Sequence, residues 1–100
     1  MNETDPRLIR LAQPDNVLMI STTLTEGEGV RVRGHIIQIE KTLSLGHKLA
    51  ARDIATGETI IKYNFPIGVA TQDIALGEHV HVHNVRSDYT ASYVVPEATA

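Results

Sequence analysis

Five histidines occur in 100 residues, and three of them, His79, His81 and His83, fall within GEHVHVHN (Gly77–Asn84). Neutral imidazole is a common metal ligand and a general base near neutral pH. Alternate residues on a strand share a face and stand about 6–7 Å apart, so a His-x-His pair can converge on one ion. The pattern admits three readings: a ligand cluster, a catalytic strand, or a histidine-rich strand face turned to solvent. A second stretch, LGHKLAARD (Leu45–Asp53), places the base His47 beside the cation Lys48 just after Gly46. Strand alternation sends neighbours to opposite faces, so this pair meets in one pocket only through an irregular turn; the plain alternative is an exposed pair. A third, KYNFPIG (Lys62–Gly68), offers Lys62 as a cation for a substrate carboxylate, although an exposed lysine needs no special role.

The elements that must position these groups repeat. DIATGETIIKYN (Asp53–Asn64) and DIALGEHVHVHN (Asp73–Asn84) agree at Asp, Ile, Ala, Gly, Glu and the final Asn, and TLTEGEGVRVRG (Thr23–Gly34) is a weaker copy. The Asp-Ile-Ala-x-Gly segment predicts a short helical turn, with Asp accepting from free N–H groups and Gly closing it in the left-handed region. Extended chain follows each turn. Gly34, Asn64 and Asn84 end the three copies, and Gly and Asn tolerate positive φ best, so each copy is expected to end in a tight turn. Val80 and Val82 are expected to anchor the histidine strand on one face while the histidines occupy the other. Val30 and Val32 are even-numbered, whereas Ile37 and Ile39 are odd, which places a phase change at Gly34. Further strand candidates are Val17–Ser21, His47–Ala51 and Thr59–Tyr63. No stretch carries a long amphipathic helix. The fold class is therefore mostly β, with short irregular strands and short helical turns.

Composition sets the bounds. One domain's worth of residues, 42% of them hydrophobic, without Trp or Cys, indicates a folded aliphatic core with neither disulfides nor thiolate metal sites. A domain this small has little depth for a private active site, and ligand clefts form readily between domains or subunits. The net charge of −3 and the lack of a basic stripe argue against nucleic acid. No apolar run suits a membrane span, and MNETDPRLIR does not read as a signal peptide, so the expected location is cytoplasmic.

Residues Gly46–Asn84, through GHK, KY-x-x-PIG-x-AT-x-DI and GEHVH-x-HN, closely resemble the SAF-type domain of altronate and galactarate dehydratases. The same domain resembles the separate small subunit of related two-component lyases, including (2R)-sulfolactate sulfo-lyase. Asp15–Val30 matches the family's opening strand and turn more loosely. The resemblance implies a β-clip fold over residues 15–85, between a lead-in over 1–14 and a tail over 86–100, in which Tyr93–Val95 is the one apolar cluster. It implies a hydro-lyase subunit that eliminates water from a sugar acid. The large catalytic portion is expected on another polypeptide, without which this chain is inactive. Site residues under this reading are His47, Lys48, His79, His81 and His83 for catalysis and Lys62 and Asn84 for substrate. The family's metal dependence implies a divalent ion, iron first, held by His79, His81 and His83 or by the large subunit. The alternatives are a sulfo-lyase α subunit or a non-catalytic module binding a sugar acid or a protein. An ice-binding β-clip fits poorly, because it needs a flat, weakly charged surface. Homo-oligomerisation is left open.

Overall fold

One four-residue turn, used four times, organises the chain. In the computed structural model, which describes residues 3–87, the turns are Thr25–Glu28, Ser44–His47, Ala55–Glu58 and Ala75–Glu78. In each, the N–H of the fourth residue donates to the carbonyl of the first, at 3.0, 3.2, 3.0 and 2.9 Å. The third residue is glycine, with φ of 88°, 96°, 87° and 81°. The turns at Gly27, Gly57 and Gly77 match the sequence repeat. The turn at Gly46 escapes it, because His47 replaces the glutamate that marks the others. These are single hydrogen-bonded turns, and no described residue lies in a helix. Asp53 and Asp73 do not cap their own turns. The isolated bridge Ile54↔Ile74 lays the two segments antiparallel. Each Asp then reaches the other's turn: Leu76 N–H donates to Asp53 Oδ1 at 2.8 Å, and Thr56 N–H to Asp73 Oδ1 at 2.9 Å.

Nine short strands follow: β1 (Leu8–Ile9), β2 (Val17–Ile20), β3 (Gly29–Val32), β4 (His35–Gln38), β5 (Lys48–Ala50), β6 (Thr59–Lys62), β7 (Phe65–Ala70), β8 (His79–Val80) and β9 (Val85–Arg86). A central sheet has the order β1-β2-β5-β8, the β3-β4 hairpin stands to one side, and β6-β7-β9 form a third sheet. Strand alternation in the central sheet feeds two cores. Leu18, Ile20 and Leu49 join Leu24, Val30, Val32, Ile39 and Leu43 in the first. Val17, Ala50 and Val80 join Ile54, Ile60, Ala70 and Ile74 in the second.

The phase change near Gly34 is a hairpin. Arg33 and Gly34, with φ of 49° and 87°, form a two-residue turn with both central residues left-handed, the form that suits the strand twist. Val30 then pairs with Ile37 and Val32 with His35, so even positions share a face with odd ones. Tyr63 and Asn64, with φ of 51° and 67°, make the same turn between β6 and β7. Buried Asp15 holds it, accepting from the N–H groups of Tyr63 at 2.7 Å and Asn64 at 2.8 Å. Neighbouring Asn16 donates to Thr59 O and accepts from Ile61 N–H, which ties the start of β2 to β6.

The third copy departs from its expected ending. Strand β8 stops at Val80, and residues 81–84 turn, with Asn84 N–H donating to His81 O at 3.0 Å. Asn84 is not among the positive-φ residues. Val80 is fully buried but Val82 is 80% exposed, so Val80 alone anchors the segment. The tail cluster Tyr93–Val95 lies outside the described residues.

Candidate functional site

The histidines converge because β5 and β8 pair antiparallel, with Leu49 opposite His79. His47 ends the turn that leads into β5, and the register, carried one residue further, sets it across from His81. Its Nδ1 lies 3.1 Å from Nε2 of His79, one donating and the other accepting according to tautomer. The ring centres of His47 and His81 are 5.2 Å apart, and those of His79 and His81 are 5.4 Å apart and nearly parallel. One ring nitrogen from each of His47, His79 and His81 falls within 4.8 Å of the other two. His83 approaches His79, with ring centres 5.5 Å apart, but stands outside that set. Spacing draws attention to His79, His81 and His83, whereas the three rings whose nitrogens lie within 4.8 Å of one another are His47, His79 and His81. The physical reason is that the strand ends at Val80, so His83 lies at the far side of a turn instead of on a continuing strand face.

His47 is free for this contact. In the three sister turns the residue at its position is Glu28, Glu58 or Glu78. Each glutamate turns its carboxylate back onto the N–H of the turn's first residue, at 3.0 Å to Thr25, 2.9 Å to Ala55 and 2.9 Å to Ala75. The imidazole of His47 faces His79 instead.

Asn84 holds the segment from beneath. Fully buried, it donates through Nδ2 to His79 O at 2.9 Å and accepts through Oδ1 from His81 N–H at 3.0 Å. Both ends of its amide serve the backbone that carries two of the histidines. Asn84 is therefore engaged with the backbone at both ends of its amide, and it is not among the cleft-lining residues.

A cleft of about 850 Å³ adjoins the cluster. Its apolar walls include Ile37, Ile39, Leu43 and Leu76, and His79, His81, His83 and Lys41 add polar groups. Gly77 lets the two walls approach: a Cβ there would lie 2.5 Å from Ile37 Cγ1, and φ is +81°.

A sequence profile of the altronate/galactarate dehydratase SAF domain matches residues 6–88. The chain belongs to this family. Altronate dehydratase of Bacillus subtilis (strain 168) is 40% identical over 80 residues, which are 80% of this chain and 16% of that protein. Altronate dehydratase of Escherichia coli (strain K12) is 42% identical over the same extent of each. The (2R)-sulfolactate sulfo-lyase subunit alpha of Chromohalobacter salexigens is 52% identical over 50 residues, 50% of this chain and 53% of that subunit. The SAF domain thus spans only a small part of the dehydratases and about half of the sulfo-lyase subunit.

Electrostatics in the SAF domain favours neutral imidazole. Burial, then the neighbouring His47, His81, His83 and Lys41, push His79 down to about 4. Burial, His47 and Lys48 lower His81 in the same way. Lys48 shares strand parity with Ala50 and so belongs to the second-core side. Burial, then Lys62, lowers it from the ordinary lysine range. Neither Lys48 nor Lys62 is among the cleft-lining residues, although the Lys48 charge reaches His81. Sequence spacing gave no sign of Lys41, which lies far along the chain from His79 and His81 and meets them only through the fold.

Proposed function

We propose that this SAF domain is the small component of a hydro-lyase that eliminates water from a sugar acid, sharing its site with a large catalytic portion. The observation that supports this most is the convergence of His47, His79 and His81 beside a cleft that Lys41 also lines. Such an elimination removes a proton next to a carboxylate and stabilises an enediolate while hydroxide leaves. Imidazoles held neutral keep a ring nitrogen open to a proton or a metal ion at neutral pH. Lys41 supplies positive charge where a carboxylate or enediolate needs it. His83, which also lines the cleft, suits substrate contact. Lys48 and Lys62, outside the cleft lining, suit contact with the large portion or the far end of a substrate. A divalent metal, when bound, supplies Lewis acidity to the departing hydroxyl.

A second reading is elimination of sulfite from a sulfonated hydroxy acid. The 52% identity to the sulfo-lyase α subunit favours it.

Reconstitution tests both. The chain alone should turn over neither altronate, galactarate nor sulfolactate, and adding a large lyase component of the same family should restore one activity. In that enzyme, His79→Ala or His81→Ala should lower turnover by about 10²-fold or more, the scale expected for loss of an acid or base. Full activity of the isolated chain, or unaffected turnover in both variants, would overturn the proposal.

A further inference from the structure

We infer that His47, His79 and His81 form a three-nitrogen site for a divalent transition metal of the borderline class: iron(II), zinc, cobalt(II) or nickel(II). Two imidazole nitrogens bound at about 2.0–2.1 Å to one ion, at tetrahedral or octahedral angles, stand roughly 2.8–3.4 Å apart. His47 Nδ1 and His79 Nε2 already stand 3.1 Å apart. His81, half of the stacked pair with His79 on an exposed turn, brings the third nitrogen within 4.8 Å of both.

The surroundings support a ligand role. His47 occupies the position at which the sister turns carry a capping glutamate, so its ring is spared the local contact that Glu28, Glu58 and Glu78 make. The backbones of His79 and His81 are gripped by a fully buried Asn84. Groups outside the ligand shell that fix ligand geometry in this way typically govern metal affinity. All three donors are nitrogen, which suits zinc, iron, cobalt or nickel and disfavours magnesium and calcium, both of which take oxygen. Three protein ligands leave coordination positions open, the pattern of a reactive site and not of a closed structural one. His79 and His81 also line the cleft. An oxygen donor bound there, such as a hydroxyl or carboxylate, can reach the same ion.

Metal uptake can be read without substrate, so the test does not depend on the lyase reading. The full chain is titrated with cobalt(II), following ligand-field absorption and calorimetric stoichiometry. Wild type should bind one ion, and magnesium should give no signal. His47→Gln adds a side-chain carbonyl able to cap the turn, as the sister glutamates do, and removes the imidazole donor. It should fold and bind at least about 100-fold more weakly, no less than the loss that follows when only a supporting outer group is removed. His79→Ala and His81→Ala should behave alike, while His35→Ala on β4 should leave affinity within about threefold. The assignment is overturned if wild type takes up no cobalt at one equivalent, leaving His47 and His79 a simple hydrogen-bonded pair. It is equally overturned if His47→Gln binds like wild type, or if His83→Ala weakens binding as much as His47→Gln does.

Discussion

His47 Nδ1 faces His79 Nε2 at 3.1 Å across 32 residues of sequence. The contact exists because the second of four equivalent turns gives up its glutamate. In the fourth turn Glu78 keeps that role, with its carboxylate on Ala75 N–H at 2.9 Å. One position of the repeat thus serves either the turn or the site.

That division predicts opposite responses at the two positions. Glu78→Ala should cost about 0.5–1.5 kcal/mol, the usual worth of a capping hydrogen bond. His47→Gln should cost less, because it adds a capping carbonyl to a turn that lacks one. Urea unfolding of the two variants checks this. A larger loss in His47→Gln would mean that the imidazole itself stabilises the fold.

The histidine segment should respond sharply to which valine is changed. Val80 is fully buried in the second core, and Val82 is 80% exposed. Val80→Asp should unfold the domain, since an unpaired buried charge costs several kcal/mol. Val82→Asp should stay within about 0.5 kcal/mol of wild type. Far-UV circular dichroism and thermal melts separate the two outcomes.

Asn84→Ala should leave His79 O and His81 N–H without their side-chain partner. The expected loss is about 1–3 kcal/mol, the cost of unsatisfied buried polar groups. Amide exchange should quicken first at His81, whose N–H donates to Asn84 Oδ1. Uniform loosening across the domain would show that Asn84 does not act locally.

Asp15 should make stability fall in acid. Burial alone would raise its pKa, but the N–H groups of Asn64, Tyr63 and Ala12 and the charge of Arg10 outweigh that and lower it from 3.8. A carboxylate with a lowered folded value stabilises fully above the unfolded value and loses its contribution as pH falls through the folded one. The window therefore opens near pH 3.8 and extends below it. Asp15→Asn should be less stable at pH 7 and show a flatter dependence in this range. Denaturant midpoints measured from pH 7 down to pH 2 give the comparison.

The strands at Val17–Ile20, Lys48–Ala50 and Thr59–Lys62 were legible because aliphatic runs lie between turn-forming residues. The left-handed glycines at 27, 57 and 77 were legible because three glutamates repeat beside them. The Gly46 turn was hidden, since a backbone conformation can recur without its marker residue. Spacing alone misjudged the far end of GEHVHVHN. A period of two continues only while a strand does, and the strand stops at Val80 because Asn84 draws the chain into a turn.

Sequence by itself determined the family, the mostly β architecture and the supply of imidazoles and lysines, because these rest on local pattern and residue type. Which imidazoles meet was decided by the register of β5 against β8, a long-range pairing that no local pattern encodes. The same holds for Lys41, drawn to His79 by packing between the β3-β4 side and the last turn. It holds too for Asp15, whose three N–H partners lie at residues 12, 63 and 64. Local chemistry names the groups a site can use, and tertiary pairing, through the burial it rewards, selects which of them share it.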